Sequence, residues 1–410
     1  MIQYVLWAVS FITVWLSLVW IEFLLLGTEE QKTAKLPTVT IGIPAYNEEK
    51  GILRTLNSLM ELDYPASKLQ IIVVNDGSKD NTRKVTEKFI KTHPMVKLIN
   101  KPNGGKASAV NAALDKAKGE LFAVLDADSR VTPDSLRRVV SYISDKKTGA
   151  VITRMRVDSP SRMVEKTQKF EYIMSNLLRK IMSNAEILAI TPGVLSTYRT
   201  EILRKVGGFC HDRDNLTEDL EIALRLKKYG YNIKMAEDAI TYTKAPNTLH
   251  SLWKQRVRWY RGYIYNNIRY RDLFFSKEHG LFGVFYMPVN VLAIALLIIN
   301  MTIIGSQIWK DVFNFIYRSL TIPDYLTSFF TELPTLKEFI IGRNLQITLP
   351  LILIVCIGIW MILKAHKMFK EKLLENIMAG LTYTFVLPYF TFANWLSALF
   401  SEIFKTKRKW

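Results

Sequence analysis

Leu121-Phe122-Ala123-Val124-Leu125-Asp126-Ala127-Asp128 is an apolar run that closes on two carboxylates. Continuous apolar character over so short a stretch predicts a strand buried on both faces, and the acids mark its carboxyl end. The same construction recurs upstream. Val39 to Ile43 and Leu69 to Val74 read as strands, the second stopped by Asn75-Asp76-Gly77-Ser78, and Val96 to Ile99 reads as a third, followed by Asn103-Gly104-Gly105. Helical periodicity covers Glu48 to Glu61, Asp80 to Thr92 and Lys106 to Lys118 between them. Thr132-Pro133-Asp134 predicts a further helix start, with Thr132 as N-cap and Pro133 as the first helical residue. Strands alternating with helices predict an α/β fold, a mostly parallel sheet with helices on both faces. Ligands of such sheets bind beyond the carboxyl ends of the strands, where Asn75-Asp76, Asn103-Gly104 and Asp126-Ala127-Asp128 all fall.

Four stretches lack charge altogether: Ile2 to Ile21, Leu281 to Trp309, Leu345 to Leu363 and Ile377 to Ser401. Each is long enough to span a bilayer, which takes about 20 apolar residues. The first has neither a basic leader region nor a small-residue cleavage site, so it reads as an uncleaved anchor and not as a signal peptide. The expected organisation is an N-terminal transmembrane helix (1–28), an α/β domain (37–245), amphipathic interfacial helices (246–280) and a C-terminal transmembrane region (281–410). A further helix is expected within 160–190, and the segment 249–275 interleaves aromatic and basic residues as a headgroup-layer helix does.

The formal net charge of +18 invites a nucleic-acid reading, but its distribution speaks for a membrane. Lys364, Lys367, Lys370 and Lys372, then Lys405, Lys407, Arg408 and Lys409, flank apolar runs, as cationic residues do at cytoplasmic helix ends. That places the N-terminus outside and the α/β domain inside, with the span at 281–309 leading out to a loop (310–344) and that at 345–363 leading back. For 377–401, a full span and a re-entrant or interfacial hairpin broken at Pro388 stand as alternatives. Cys210 and Cys356 are the only cysteines, too few for a disulfide framework or a zinc site.

Three clusters carry chemistry. Asp126 and Asp128, two apart at a strand end, can face one divalent cation together; in isolation such a pair reads as a solvated turn, but at this sheet edge it reads as a cation site. Thr217-Glu218-Asp219 opens an apolar-periodic helix, where acids are favoured by the helix dipole alone and where Asp219 would also serve as a general base. In Gln255-Arg256-Val257-Arg258-Trp259, positions 255, 258 and 259 share a helix face, bringing together an amide, a guanidinium and an indole. Pro44-Ala45-Tyr46-Asn47-Glu48 offers an aromatic and polar groups for a nucleobase. Gly104 and Gly105 offer amides to a diphosphate, with Lys106 as a point charge.

In this order, and followed by membrane segments, these motifs resemble those of the membrane-embedded processive glycosyltransferases of family 2, the group of poly-N-acetylglucosamine, hyaluronan, chitin and cellulose synthases. The resemblance runs from Val39 to Trp259 and into the flanking membrane segments, and the wording is nearest to the poly-N-acetylglucosamine synthases. It implies a cytoplasmic GT-A domain in which Tyr46, Glu48 and Asp76 hold the uridine, Lys106 the diphosphate, and Asp126 and Asp128 sit at the sugar and the metal, Mg2+ or Mn2+. Asp219, with Glu218 beside it, would be the base of an inverting displacement, and Gln255, Arg258 and Trp259, with Arg256 among them, would contact diphosphate and acceptor. Thr191-Pro192-Gly193 stands where relatives often carry Ser-Gly, and Asn75 replaces a frequent Asp.

The implied reaction transfers a sugar from a UDP-sugar, read as UDP-N-acetylglucosamine, to a growing β-linked polysaccharide at the cell membrane. The implied partners are that donor, a polysaccharide or lipid-linked acceptor, membrane lipids and, as an open place, an accessory subunit. Rival readings are transfer of one sugar to a polyprenyl phosphate or other lipid, and a non-catalytic basic membrane protein binding anionic lipid or nucleic acid. Strand-end acids would repel nucleic-acid phosphates. A transporter's coupling site would call for intramembrane charge, which the spans almost wholly lack.

Overall fold

The computed structural model describes residues 2–27, 36–331 and 345–408. Two compact units are distinguishable, one made of Phe23–Pro288 with Glu371–Trp410 and the other of Met1–Glu22 with Val289–Lys370.

The first unit is built on an eight-stranded mixed sheet of order β3-β2-β1-β4-β7-β6-β8-β5. Its strands are β1 (Val39–Ala45), β2 (Leu69–Asp76), β3 (Val96–Lys101), β4 (Leu121–Leu125), β5 (Arg130–Val131), β6 (Thr148–Val157), β7 (Val194–Arg199) and β8 (Asn232–Thr243). β1 pairs in parallel with β2 and β4, and β2 with β3. β7 is inserted antiparallel between β4 and β6, β8 runs parallel to β6, and β5 closes the edge antiparallel to β8. Successive residues of β2 serve opposite faces, as the pleat demands. Ile71 and Val73 join one apolar core, and Ile72 and Val74 the other. Helices α2 (Ile52–Met60), α3 (Thr82–Ile90) and α5 (Ser135–Ser141) cover the first face. The second is covered by α4 (Lys106–Asp115), α7 (Thr200–Lys205) and α8 (Glu218–Lys228).

The expected start of α5 is corrected. The helix begins at Ser135 behind Asp134 as N-cap. Thr132 is held by the sheet instead, its N–H and Oγ1 both donating to the Ile240 carbonyl while Oγ1 also donates to Asp134 Oδ1 at 2.8 Å. The apolar patterns upstream predicted β1–β4; the strands downstream, β5–β8, were not read.

Two long helices follow, α6 (Met163–Asn184), which packs on β6 and β8, and α9 (Leu249–Arg269), which packs on α8. The segment 377–401 folds as two helices, α13 (Ile377–Phe385) and α14 (Leu387–Ile403), parted at Val386 with Pro388 in the first turn of the second. Both are fastened to this unit. Phe170 of α6 meets Tyr383 with ring centroids 5.1 Å apart, Tyr260 of α9 stacks on Trp395 at 4.2 Å, and Glu371 pairs with Arg156 at 2.7 Å.

The second unit contains most of α1 (Ile2–Leu25) and α10 (Met287–Thr321), with α11 (Tyr325–Thr331) and α12 (Leu345–Met368). α10 and α11 occupy much of the stretch expected as a loop from 310; residues 332–344 lie outside those described. Large apolar side chains such as Trp7, Phe11, Trp309 and Leu349 are exposed, and Ser10, Thr13 and Ser17 bond carbonyls one turn back, which keeps hydroxyls satisfied in an apolar medium. Among the described residues three helices are long and apolar enough to cross a membrane, Tyr4–Leu25, Phe282–Thr321 and Thr348–Met368. The protein is membrane-associated.

Candidate active site

Because β1, β2, β3 and β4 run in one direction, their carboxyl ends converge on one edge of the sheet, and a cleft of about 620 Å³ opens there. Tyr46, Glu48, Asp76, Lys106, Asp126 and Asp128 all line it. Tyr46 stands exposed at its margin. Asp76 is buried, and its carboxylate accepts from Lys101 Nζ at 2.5 Å and from the N–H groups of Gly104 and Gly105 at 3.0 and 2.8 Å. The amides read from sequence as diphosphate donors are therefore committed to Asp76. Lys101 was missed because it faces Asp76 only through the β2–β3 register.

Acidic crowding defines the floor of the cleft. Burial, then the charge of Asp128, pushes the Glu48 carboxyl up to about 7. Burial also raises Asp126, although Lys106 Nζ lies 2.6 Å from its Oδ1. The Asp128 carboxylate has a neutral neighbour in Ser129, whose hydroxyl lies 3.3 Å away. A hard divalent cation is the species that relieves such repulsion. Among the described residues no group of three or more His, Cys, Asp or Glu could hold a metal, so phosphate oxygens of a ligand would have to complete its shell.

Lys106 ties the cleft to the second motif, its Nζ lying 2.6 Å from Asp126 Oδ1 and 3.2 Å from Glu218 Oε1. Burial alone would lower this ammonium, but the carboxylates of Asp126, Glu218 and Asp219 outweigh it and hold the pKa above its ordinary value. Glu218 is buried, whereas Asp219, next along the first turn of α8, is partly exposed. Burial, then the neighbouring Glu218, pushes Asp219 up to about 6, opposed by Lys106 and Arg258. Its backbone carbonyl accepts from Thr191 Oγ1 at 2.8 Å. Two residues on, the Asp126 N–H donates to the Gly193 carbonyl at 2.7 Å, and a β-carbon on Gly193 would stand 2.5 Å from Asp126 Oδ1. The Thr191-Pro192-Gly193 loop thus touches both acidic motifs, and a side chain at Gly193 would displace the Asp126 carboxylate.

The third motif lies on α9, which is seated directly on Thr217. A β-carbon on Gly262 would overlap the Thr217 side chain. Asn266, fully buried, donates to Asn215 Oδ1 and Thr217 Oγ1 at 2.9 and 3.0 Å. Arg258 donates to the Leu216 carbonyl at 3.0 Å, within the loop that leads to Asp219. Arg256 behaves differently from its neighbours, bonding Glu171 of α6 at 2.7 Å. Asn215 and Asn266 were missed by sequence reading, since buried amides carry no signal in composition or period.

The site therefore brings together an acidic cleft with one lysine in it, a carboxylate with raised basicity behind it, and a neighbouring helix that carries Gln255, Arg258 and Trp259. Residues 37–262 match the model of the family described as glycosyltransferase like family 2. A probable glycosyltransferase of Bacillus subtilis, YdaM, is 32% identical over 306 residues, 68% of this chain and 71% of that protein. Poly-beta-1,6-N-acetyl-D-glucosamine synthase of Staphylococcus epidermidis is 31% identical over 243 residues, 59% of this chain and 57% of that protein. Among solved structures, the mannosyltransferase PcManGT of Pyrobaculum calidifontis, in complex with GDP-Man and Mn2+, aligns with a TM-score of 0.54 at 26% identity, covering 65% of this chain and 73% of that one.

Proposed function

The chain belongs to glycosyltransferase family 2, and from that premise we propose that it transfers N-acetylglucosamine from UDP-N-acetylglucosamine to a growing β-linked polysaccharide, with inversion at the anomeric carbon. The observation that carries the mechanism is the position of Lys106, bonded at once to Asp126 in the cleft and to Glu218 beside Asp219. It supports a single reaction centre assembled from motifs some ninety residues apart.

In this reading Tyr46, Glu48 and Asp76 receive the nucleoside, and Lys106 sits where the diphosphate enters. Asp128, with Asp126 beside it, would hold Mg2+ or Mn2+, which offsets the charge developing on the leaving diphosphate when bound. An acceptor hydroxyl attacks the anomeric carbon in line with the departing oxygen. Its proton passes to Asp219, whose pKa of about 6 leaves it ionised at neutral pH yet more basic than an ordinary aspartate. The bond to the diphosphate breaks, and its electron pair leaves with UDP. One base suffices for one inversion. Gln255, Arg258 and Trp259 receive the acceptor and the far side of the diphosphate. The α/β unit faces the cytoplasm, where nucleotide sugars are found, and the basic residues flanking the apolar runs support that orientation.

The sugar and polymer rest on the poly-N-acetylglucosamine synthase relative. A second reading, transfer of a hexose from GDP-mannose, takes its support from the ligand of PcManGT. Purified protein in lipid, given radiolabelled UDP-N-acetylglucosamine, UDP-glucose, UDP-glucuronate and GDP-mannose in turn, separates them. A high-molecular-weight product from the first donor alone supports the proposal. A short or lipid-extractable product moves the protein to single transfer, and labelling from GDP-mannose alone favours the second reading.

A further inference from the structure

Arg256 lies inside the Gln255–Trp259 motif, yet its contacts lead away from the donor. Its Nη2 is 2.7 Å from Glu171 Oε2, and its Cζ lies 4.4 Å from the centroid of the Trp259 ring. The Arg256 side chain is only 8% exposed and that of Glu171 24%, so water screens this pair poorly. Glu171 belongs to α6, 85 residues earlier, and to none of the recognised motifs.

A guanidinium over an indole is held by the ring quadrupole, and its planar fork keeps one orientation once a carboxylate fixes an edge. Arg256 and Trp259 are one helical turn apart, so they share a face of α9. Glu171 therefore sets the guanidinium, and the guanidinium covers one face of the indole and restricts its rotation. Tyr260, one turn after Arg256 on the same face, is braced in its turn, stacking on Trp395 at 4.2 Å with 5° between the rings. One turn before Trp259, Gln255 Oε1 is buried and lacks a hydrogen-bond partner among the described residues. A buried acceptor atom of that kind calls for a donor, and a sugar hydroxyl is one.

We propose that Glu171 is a positioning residue of the acceptor subsite. Through Arg256 it fixes the plane of Trp259 on which the terminal sugar of the acceptor stacks, with Gln255 Oε1 taking a hydroxyl of that sugar. The assignment rests on the proposed acceptor role of Trp259 and names what holds that residue in place.

The test compares wild type, Glu171→Ala, Glu171→Gln, Trp259→Ala and the Glu171→Ala/Trp259→Ala double variant of the full chain in lipid. The probe is a short β-linked N-acetylglucosamine oligosaccharide, and the readouts are KM for acceptor and for donor. Glu171→Ala should raise acceptor KM about tenfold more than donor KM, and Glu171→Gln, which keeps shape and one hydrogen bond, should raise it less. On the Trp259→Ala background the Glu171 substitution should add nothing, because residues acting through one another are not additive. Equal changes in the two KM values, or full additivity with Trp259→Ala, overturn the assignment. Should Glu171→Ala fail to fold, an unchanged acceptor KM in Glu171→Gln overturns it equally. A wild type that transfers while the Glu171 variants match it overturns this role alone; a wild type that transfers nothing overturns the function reading with it.

Discussion

Gly262 meets Thr217 without room for a β-carbon between them. The helix bearing Gln255, Arg258 and Trp259 therefore rests on the residue immediately ahead of Glu218 and Asp219, and the spacing between the two motifs is set by a missing methyl group.

Gly262→Ala should consequently separate α9 from α8. Misplacement of about 1 Å is worth about a hundredfold in rate, so a loss of that order in kcat is expected. Steady-state kinetics checks it, with circular dichroism to establish that the variant is folded. A rate near wild type would mean that the two helices can slide without harm.

Asp219 has the most direct pH signature. Its carboxyl, pushed up to about 6 by burial and by Glu218, acts as a base only when ionised. kcat should be flat above that pH and fall about tenfold per unit below it. Glu48, pushed up to about 7, lies in the donor cleft, so its titration should appear in donor KM instead. Asp219→Asn should retain UDP binding by calorimetry while losing about a hundred- to ten-thousandfold in transfer. Near-normal turnover would remove Asp219 from the role of base.

Gly193→Ala would bring a β-carbon to 2.5 Å from Asp126 Oδ1. The carboxylate must move, and the Thr191–Gly193 loop must move with it, since the Asp126 N–H is bonded to the Gly193 carbonyl. Donor KM should rise and kcat fall, together by about a hundredfold. An unaffected donor KM would show that Asp126 does not face the nucleotide sugar.

Removal of divalent metal should stop transfer, and Mn2+ or Mg2+ should restore it. Asp128→Asn removes one charge from the acidic floor of the cleft, so its half-saturating metal concentration should rise about tenfold. Transfer that persists in EDTA would place the leaving-group stabilisation on Lys106 and Arg258 alone.

The sequence carries the features that depend on neighbours along the chain. Apolar runs marked β1, β2 and β4 because a strand buried on both faces needs nothing polar. The acids after them fell at the carboxyl edge because parallel strands end on one side. The three helices long and apolar enough to cross a membrane declared themselves because a bilayer demands about 20 apolar residues in a row. The order of motifs, resembling one family, pointed to Tyr46, Glu48, Asp76, Lys106, Asp126 and Asp128, which line one cleft, but not to Lys101, Asn215 or Asn266.

Tertiary structure alone decided what depends on residues far apart. β7 enters antiparallel between β4 and β6, which brings Gly193 against Asp126. The register of β2 on β3 commits Asp76 to Lys101, and the packing of α6 on α9 joins Glu171 to Arg256. The run 377–401, by composition as apolar as a span, became two helices bound to Phe170 and Tyr260. Periodicity records which face of an element is apolar, but not which distant element will cover it; that choice belongs to the packing of the whole chain.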